Sequence, residues 1–206
     1  MDAADVAGEP ARCRGIVAHR RWPKSLAGDE VFGISAGSFA EHAAAPVDTL
    51  AHKPANLTFE QAAAVPTSAV AALQALRSAG GIKPTDKVLI IGASGGVGLF
   101  AVQIAKSFGA EVTGVCSTAK VDLVRSVGAD HVLDYAVEDF TQSGQQYDLI
   151  LVMGGNRSLS QLKRALRPGG TLVPVGTEEG NRWVGGKAWI QAMLLSRLVR
   201  HLRPLA

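Results

Sequence analysis

Cysteine is scarce in this chain: Cys13 and Cys116 are the only two in 206 residues, too few for a disulfide framework or a four-cysteine zinc site. Histidine does not make up the shortfall, because His19, His42, His52, His131 and His201 show no paired spacing of the kind that holds a metal. No uncharged apolar stretch approaches the roughly 18 residues that a membrane-crossing helix needs. The opening MDAADVAGEPARC lacks the basic-then-apolar order of a signal peptide, so a soluble, cytoplasmic protein is expected. Two basic clusters, Arg12, Arg14, Arg20, Arg21 and Lys24 early and Lys187, Arg197, Arg200 and Arg203 late, come without a nucleic-acid motif. They read as solvated faces, and no nucleic-acid partner is expected. The late cluster lies on AWIQAMLLSRLVRHLR, which reads as a helix covering the rest of the protein rather than one lying on a membrane.

Apolar residue is plentiful. At 47% hydrophobic and 19% charged, the chain has material for a sizeable core, and a folded rather than a disordered chain is expected. Its most informative stretch is KVLIIGASGGVGLFAVQIAKSFG, residues 87 to 109. Val88, Leu89, Ile90 and Ile91 form a continuous apolar run, the pattern of a parallel strand covered on both faces. Ala93-Ser94-Gly95-Gly96-Val97-Gly98 then fits G-x-G-x-x-G with Ala in the first glycine place. In that pattern Gly95 lets the backbone approach a pyrophosphate, and Gly98 lets the helix pack close to the strand. Val97, Phe100, Ala101, Ile104, Ala105 and Phe108 recur at helical spacing and predict a stripe facing a sheet, stopped at Gly109. The free N–H groups at the start of that helix form an anion site. Some glycine-rich turns only tighten a corner, but here strand, turn and helix follow in order.

The alternation continues downstream. The spacing predicts strands over 112–116, 131–133, 147–152 and 171–175, and helices over about 119–127 and 158–167, the latter stopped by Pro168-Gly169-Gly170. A further helix near 187–198 and a sixth strand at 199–205 are expected to follow. Such β-α-β repetition implies a doubly wound parallel sheet of Rossmann type, with its ligand at the strand carboxyl ends. Ahead of it, residues 28 to 50 carry the glycines and short apolar runs of small antiparallel strands. Thr58 to Ala79 read as two helical pieces broken at Pro66. The domain boundary is expected near residue 55, giving units 1–55 and 56–206.

GDEVFG, GSFAEHAAAP, FEQAAAVPTSAVAALQAL, GASGGVG, GAEVTGVCS, GADHVLDY, EDF and RPGGTLVPVG occur in this order. The sequence thereby resembles the medium-chain dehydrogenase/reductase superfamily, in its zinc-independent quinone oxidoreductase-like branch, from about residue 28 onward. The resemblance implies a partial GroES-like β segment ahead of the Rossmann domain. It also implies NADPH in the cleft, hydride transfer to a quinone, enone or other activated carbonyl substrate, and dimerisation through the edge of the sixth strand. The family's chains carry further stretches before residue 1 and after Ala206, so the sequence reads as truncated at both ends. Where relatives keep an apolar strand, this chain has GEPARCRGIVAHRRWPKSLA, whose five basic residues suit a buried strand poorly.

NAD-dependent enzymes place an acid at the end of the second strand for the ribose 2′-OH. Here that region is Cys116-Ser117-Thr118-Ala119-Lys120, with no acid. Ser117 and Lys120 offer a hydroxyl and a cation to a 2′-phosphate, although both residue types also serve as N-cap and surface lysine. The resemblance adds Tyr135 at the 2′-phosphate, so NADPH is favoured over NADH. By position it also implies Val152, Met153, Val175, Gly176 and Thr177 at the nicotinamide and ribose, where core packing and a simple turn are equal alternatives. Ala71 stands where relatives often carry a nicotinamide-contacting Thr. The short interval from Asp29 to His42 leaves no room for the structural zinc lobe of alcohol dehydrogenases, and no metal is expected. No catalytic acid is identified. Two functional readings stay open: an NADPH-dependent reductase, and a noncatalytic NADPH-binding module or remnant of one. A methyltransferase-like use of the turn would call for an acid after the second strand.

Overall fold

The computed structural model describes residues 15–18, 28–155 and 157–176. The early basic cluster, the expected helix near 187–198, the sixth strand at 199–205 and Thr177 lie outside the described residues. The chain divides into two compact units, Met1–Thr67 and Ser68–Ala206.

In the first unit, β1 (Gly15–Ala18) runs parallel to β3 (His42–Ala45), and β2 (Val31–Gly33) runs antiparallel to β4 (Leu50–His52). Within the basic N-terminal region the uncharged Gly15-Ile16-Val17-Ala18 does therefore form a strand. Along β3, Ala43 and Ala45 are buried while His42 and Ala44 are exposed, the alternation of a strand with one covered face.

The expected break at Pro66 does not occur: α1 runs unbroken from Phe59 to Ser78 with Pro66 inside it. Proline removes one helical hydrogen bond. The alanine-rich neighbours have high helix propensity, and the ring itself is buried, so the helix continues past that loss. The division between units falls one residue after this proline.

The second unit is built on a five-stranded parallel sheet in the order β7-β6-β5-β8-β9. Its strands are β5 (Lys87–Ile91), β6 (Glu111–Cys116), β7 (His131–Asp134), β8 (Tyr147–Val152) and β9 (Leu166–Pro174). Helices α2 (Gly96–Ser107), α3 (Val121–Ser126) and α4 (Leu159–Ala165) connect them. The order reverses at β5, which makes it the Rossmann arrangement and puts the switch point at the glycine corner.

The continuous apolar runs have their cause in two cores. Val88, Ile90, Val112, Leu149, Leu151 and Val173 pack with Ala72, Leu76, Ala101, Val102, Ala105 and Val124 on one face. Leu89, Ile91, Val115, Ile150 and Leu172 pack with Phe140, Leu162 and Ala165 on the other. Because successive strand residues point to opposite faces, both sets must be apolar.

Two details depart from the sequence pattern. The face of α2 that is fully covered consists of Gly98, Ala101, Val102 and Ala105, while Phe108 is 46% exposed. Small side chains let the helix axis approach the sheet, and the larger Val97, Phe100 and Ile104 pack at the margin. Pro168-Gly169-Gly170 does not stop a helix. α4 ends at Ala165, and these residues form an irregularity within β9, where Leu166 pairs with Tyr147 but Thr171 already pairs with Leu149. Gly169, at φ +86°, supplies the backbone conformation this excursion needs.

The near-identical corners ending α2 and α3 turn alike, with Gly109 at φ +83° and Gly128 at φ +103°. Asp130, just after the second corner, ties three elements together. It accepts from Lys106 Nζ at 2.8 Å with each oxygen and from the Val112 N–H at 2.7 Å. Burial alone would raise its pKa, but these donors outweigh burial and hold the carboxyl below its ordinary value.

Candidate functional site

The sheet register brings the expected site residues to one end. Ile91 pairs with Val115 and with Val152, Cys116 with Asp134, and Val152 with Pro174. The segments that follow, 92–98, 117–120, 135–138, 153–155 and 175–176, therefore all leave from the carboxyl edge of the sheet.

At the first of these, the chain turns on Gly92, whose φ of +84° lies in the left-handed region. The turning residue thus lies one position ahead of Ala93, which occupies the first glycine place of the pattern. Gly92 and Ala93 both donate to Val115 O, at 3.1 and 3.0 Å, so the N–H of Ala93 anchors the turn to β6 and is not free for a ligand. Gly95 donates to Gly92 O at 3.2 Å and accepts from the Leu99 N–H at 2.9 Å. It is the N-cap of α2 and has no side chain to satisfy the helix start. The N–H groups of Ser94, Gly96, Val97 and Gly98 find no acceptor among the described residues. Four N–H groups at the start of α2 are thus left without a protein acceptor among the described residues, as the first turn of a helix leaves them.

The two glycines of the motif do different work. A Cβ on Gly98 would lie 2.3 Å from Gly92 O and 2.8 Å from the Ala93 backbone, so the helix–strand approach depends on its absence. A Cβ on Gly95 would meet only Gly92 O, at 3.5 Å, an ordinary contact. The protein's own packing does not require glycine there. A Cβ on Gly96 would lie 3.1 Å from Ser68 Oγ, which puts the Ser68 hydroxyl of α1 beside the helix start. Ser68 carries no motif in the sequence, and only the packing of α1 against the start of α2 brings it there.

After β6, Ser117 precedes a 3-10 turn over Thr118–Lys120, and its carbonyl accepts from the Lys120 N–H at 2.9 Å. Lys120 is exposed and has no ion pair among the described residues. After β7, Tyr135 is 58% exposed, and its N–H donates to Cys116 O at 3.1 Å. Ser117, Lys120 and Tyr135 thus leave the neighbouring strands β6 and β7 at the same edge.

The register also brings a carboxylate that the linear reading of 116–120 missed. Thr118 Oγ1 donates to Asp134 Oδ2, and the Ala136 N–H donates to Asp134 Oδ1 at 2.9 Å. Asp134 is felt by Cys116 as well: burial pushes that thiol's pKa up, Asp134 adds to the rise, and Arg125 opposes it.

On the other side of β5, the Met153 N–H donates to Ile91 O at 2.9 Å. The N–H groups of Val175 and Gly176 both donate to Val152 O, at 2.8 and 3.3 Å. Met153 lies against the glycine corner, 3.2 Å from where a Gly92 Cβ would sit. Val152, Met153 and Val175 are half-buried. Among the described residues no group of three or more His, Cys, Asp and Glu side chains could hold a metal, and no helix is long and apolar enough to cross a membrane.

Comparison with known proteins bears on the family and the fold. The family model described as zinc-binding dehydrogenase matches residues 96–195. The chain is 41% identical over 135 residues to the mitochondrial NAD(P)H oxidoreductase RTN4IP1 of Homo sapiens, covering 60% of this chain and 34% of that protein. It is 32% identical over 196 residues to a chloroplast envelope quinone oxidoreductase homolog of Arabidopsis thaliana, covering 89% of this chain and 58% of that one. Among solved structures, the quinone oxidoreductase from Coxiella burnetii aligns with a TM-score of 0.67 at 29% identity, over 88% of this chain and 56% of that chain. The chain thus spans between about a third and somewhat over half the length of these relatives. It belongs to the medium-chain dehydrogenase/reductase superfamily. Its place there is the quinone oxidoreductase-like branch.

Proposed function

We propose that the chain is an NADPH-dependent oxidoreductase that reduces a quinone, enone or other activated carbonyl compound without zinc. The observation that carries this reading is the set of four unengaged amides at the start of α2, set at the switch point of a parallel sheet, with Lys120 in the adjoining turn. The corner fits a nucleotide diphosphate: it offers donors without competing side chains, and Gly95 leaves room on the protein side. In this reading Ser94, Gly96, Val97 and Gly98 hold the pyrophosphate, and Ser117, Lys120 and Tyr135 meet the 2′-phosphate. Val152, Met153, Val175 and Gly176 line the nicotinamide half. When bound, the reduced nicotinamide supplies the hydride, and the protein contributes position, electrostatics and exclusion of water. Zinc independence follows the reading of the sequence, in which two cysteines and five histidines without paired spacing offer no metal-ligand motif.

Steady-state oxidation of NADPH by the purified chain, with a panel of quinones and enones and with a chelator present, tests the proposal. Acceptor-dependent turnover unchanged by the chelator is expected. NADPH binding with no acceptor reduced would instead favour a noncatalytic nucleotide-binding module.

A further inference from the structure

We propose that Asp134 is a specificity-determining residue of the nucleotide site: a resident carboxylate that shapes the Thr118–Lys120 turn and, by its charge, limits how tightly a 2′-phosphorylated nucleotide is held. This rests on the reading of that turn as the 2′-phosphate contact.

Three observations place the charge. The β6–β7 register sets Asp134 beside Cys116, one residue before Ser117. The carboxylate is fixed there, since Thr118 Oγ1 donates to one oxygen and the Ala136 N–H to the other. Its backbone is fixed as well, with its carbonyl accepting from the N–H groups of Val137 at 3.1 Å and Glu138 at 2.8 Å. For Asp134 to swing away from an arriving anion it would have to give up both of these bonds. A 2′-phosphate entering between Ser117, Lys120 and Tyr135 would meet the cation of Lys120 and the hydrogen-bonded carboxylate of Asp134, with Arg125 adding a more distant positive charge. A 2′-hydroxyl would meet the same carboxylate without repulsion. Asp134 thus narrows the preference for NADPH that Lys120 creates.

The charge and the scaffold separate experimentally. In Asp134→Asn the amide oxygen still accepts from the Ala136 N–H, and the amide N–H donates to Thr118 Oγ1, whose hydroxyl turns to accept. The turn keeps its shape and loses only the charge. Thr118→Val does the reverse, removing the hydroxyl and leaving the carboxylate. Dissociation constants for NADPH and NADH, measured by calorimetry on both variants and the parent chain, give the test. Asp134→Asn is expected to tighten NADPH about fivefold at low salt, with NADH within about twofold of the parent and the gain shrinking as salt rises. Thr118→Val is expected to weaken both nucleotides alike. An unchanged NADPH affinity in Asp134→Asn, or a parallel loss of both nucleotides, would overturn the role of the charge while leaving the nucleotide site standing. A parent chain that binds NADPH no better than NADH would overturn the 2′-phosphate reading and this inference with it.

Discussion

Gly95→Ala is expected to leave the protein folded and to weaken NADPH binding about tenfold to a hundredfold. The backbone at Gly95, φ −78° and ψ 168°, suits any residue, and an added methyl would meet no protein atom closer than 3.5 Å. On the unfolded-chain argument alone, alanine there adds about 0.4–1 kcal/mol of stability. The methyl would instead occupy space that the pyrophosphate needs, and overpacking of a fitted contact costs roughly 1–3 kcal/mol. Gly98→Ala makes the contrast. Its methyl would collide with the Gly92 and Ala93 backbone, which has no flexible end to yield, so folding stability should drop by about 3 kcal/mol or more. Urea unfolding beside calorimetric titration separates the two variants. A Gly95→Ala protein that is stable and binds NADPH as well as the parent would remove the corner from the ligand site.

The second large effect belongs to Lys120→Glu, for which NADPH affinity should fall about a hundredfold while NADH affinity changes less than about threefold. Lys120 is exposed and makes no ion pair among the described residues, so the substitution breaks nothing in the fold. It would replace an attraction to a doubly charged phosphate with a repulsion, next to a carboxylate already present at Asp134. Calorimetry with the two nucleotides in parallel reads the difference, and equal weakening of both would exclude Lys120 from the 2′-phosphate contact.

The sheet was legible in the sequence because its strands are buried on both faces. A run such as Leu149-Ile150-Leu151-Val152 must feed two cores at once, and that demand leaves an unbroken apolar signature. The glycine corner was legible for a similar reason, since Gly98 answers a backbone contact too close for any Cβ. What escaped depends on relations between segments. Gly92 falls between the apolar run ending at Ile91 and the motif starting at Ala93, and only its φ marks it as the turning residue. Pro66 looked like a helix break because local propensity ignores the burial of its ring. Phe108 fitted the helical stripe by spacing, yet the sheet is approached through Ala101 and Ala105 and leaves it at the edge. Asp134 stands 14 residues beyond Lys120 in the chain and reaches the same turn only through the pairing of β6 with β7. The absence of an acid between Cys116 and Lys120 was a true statement about the sequence and an incomplete one about the site.

In the proposed function, main-chain amides at the start of α2 grip the diphosphate of a pyridine nucleotide. Amide chemical shifts of isotopically labelled protein, followed as NADPH is added, test it directly. Saturable shifts at Ser94, Gly96, Val97 and Gly98, accompanied by shifts at Ser117 and Lys120, are the predicted result. A folded protein whose glycine-corner amides stay fixed while NADPH is added to saturation would contradict it.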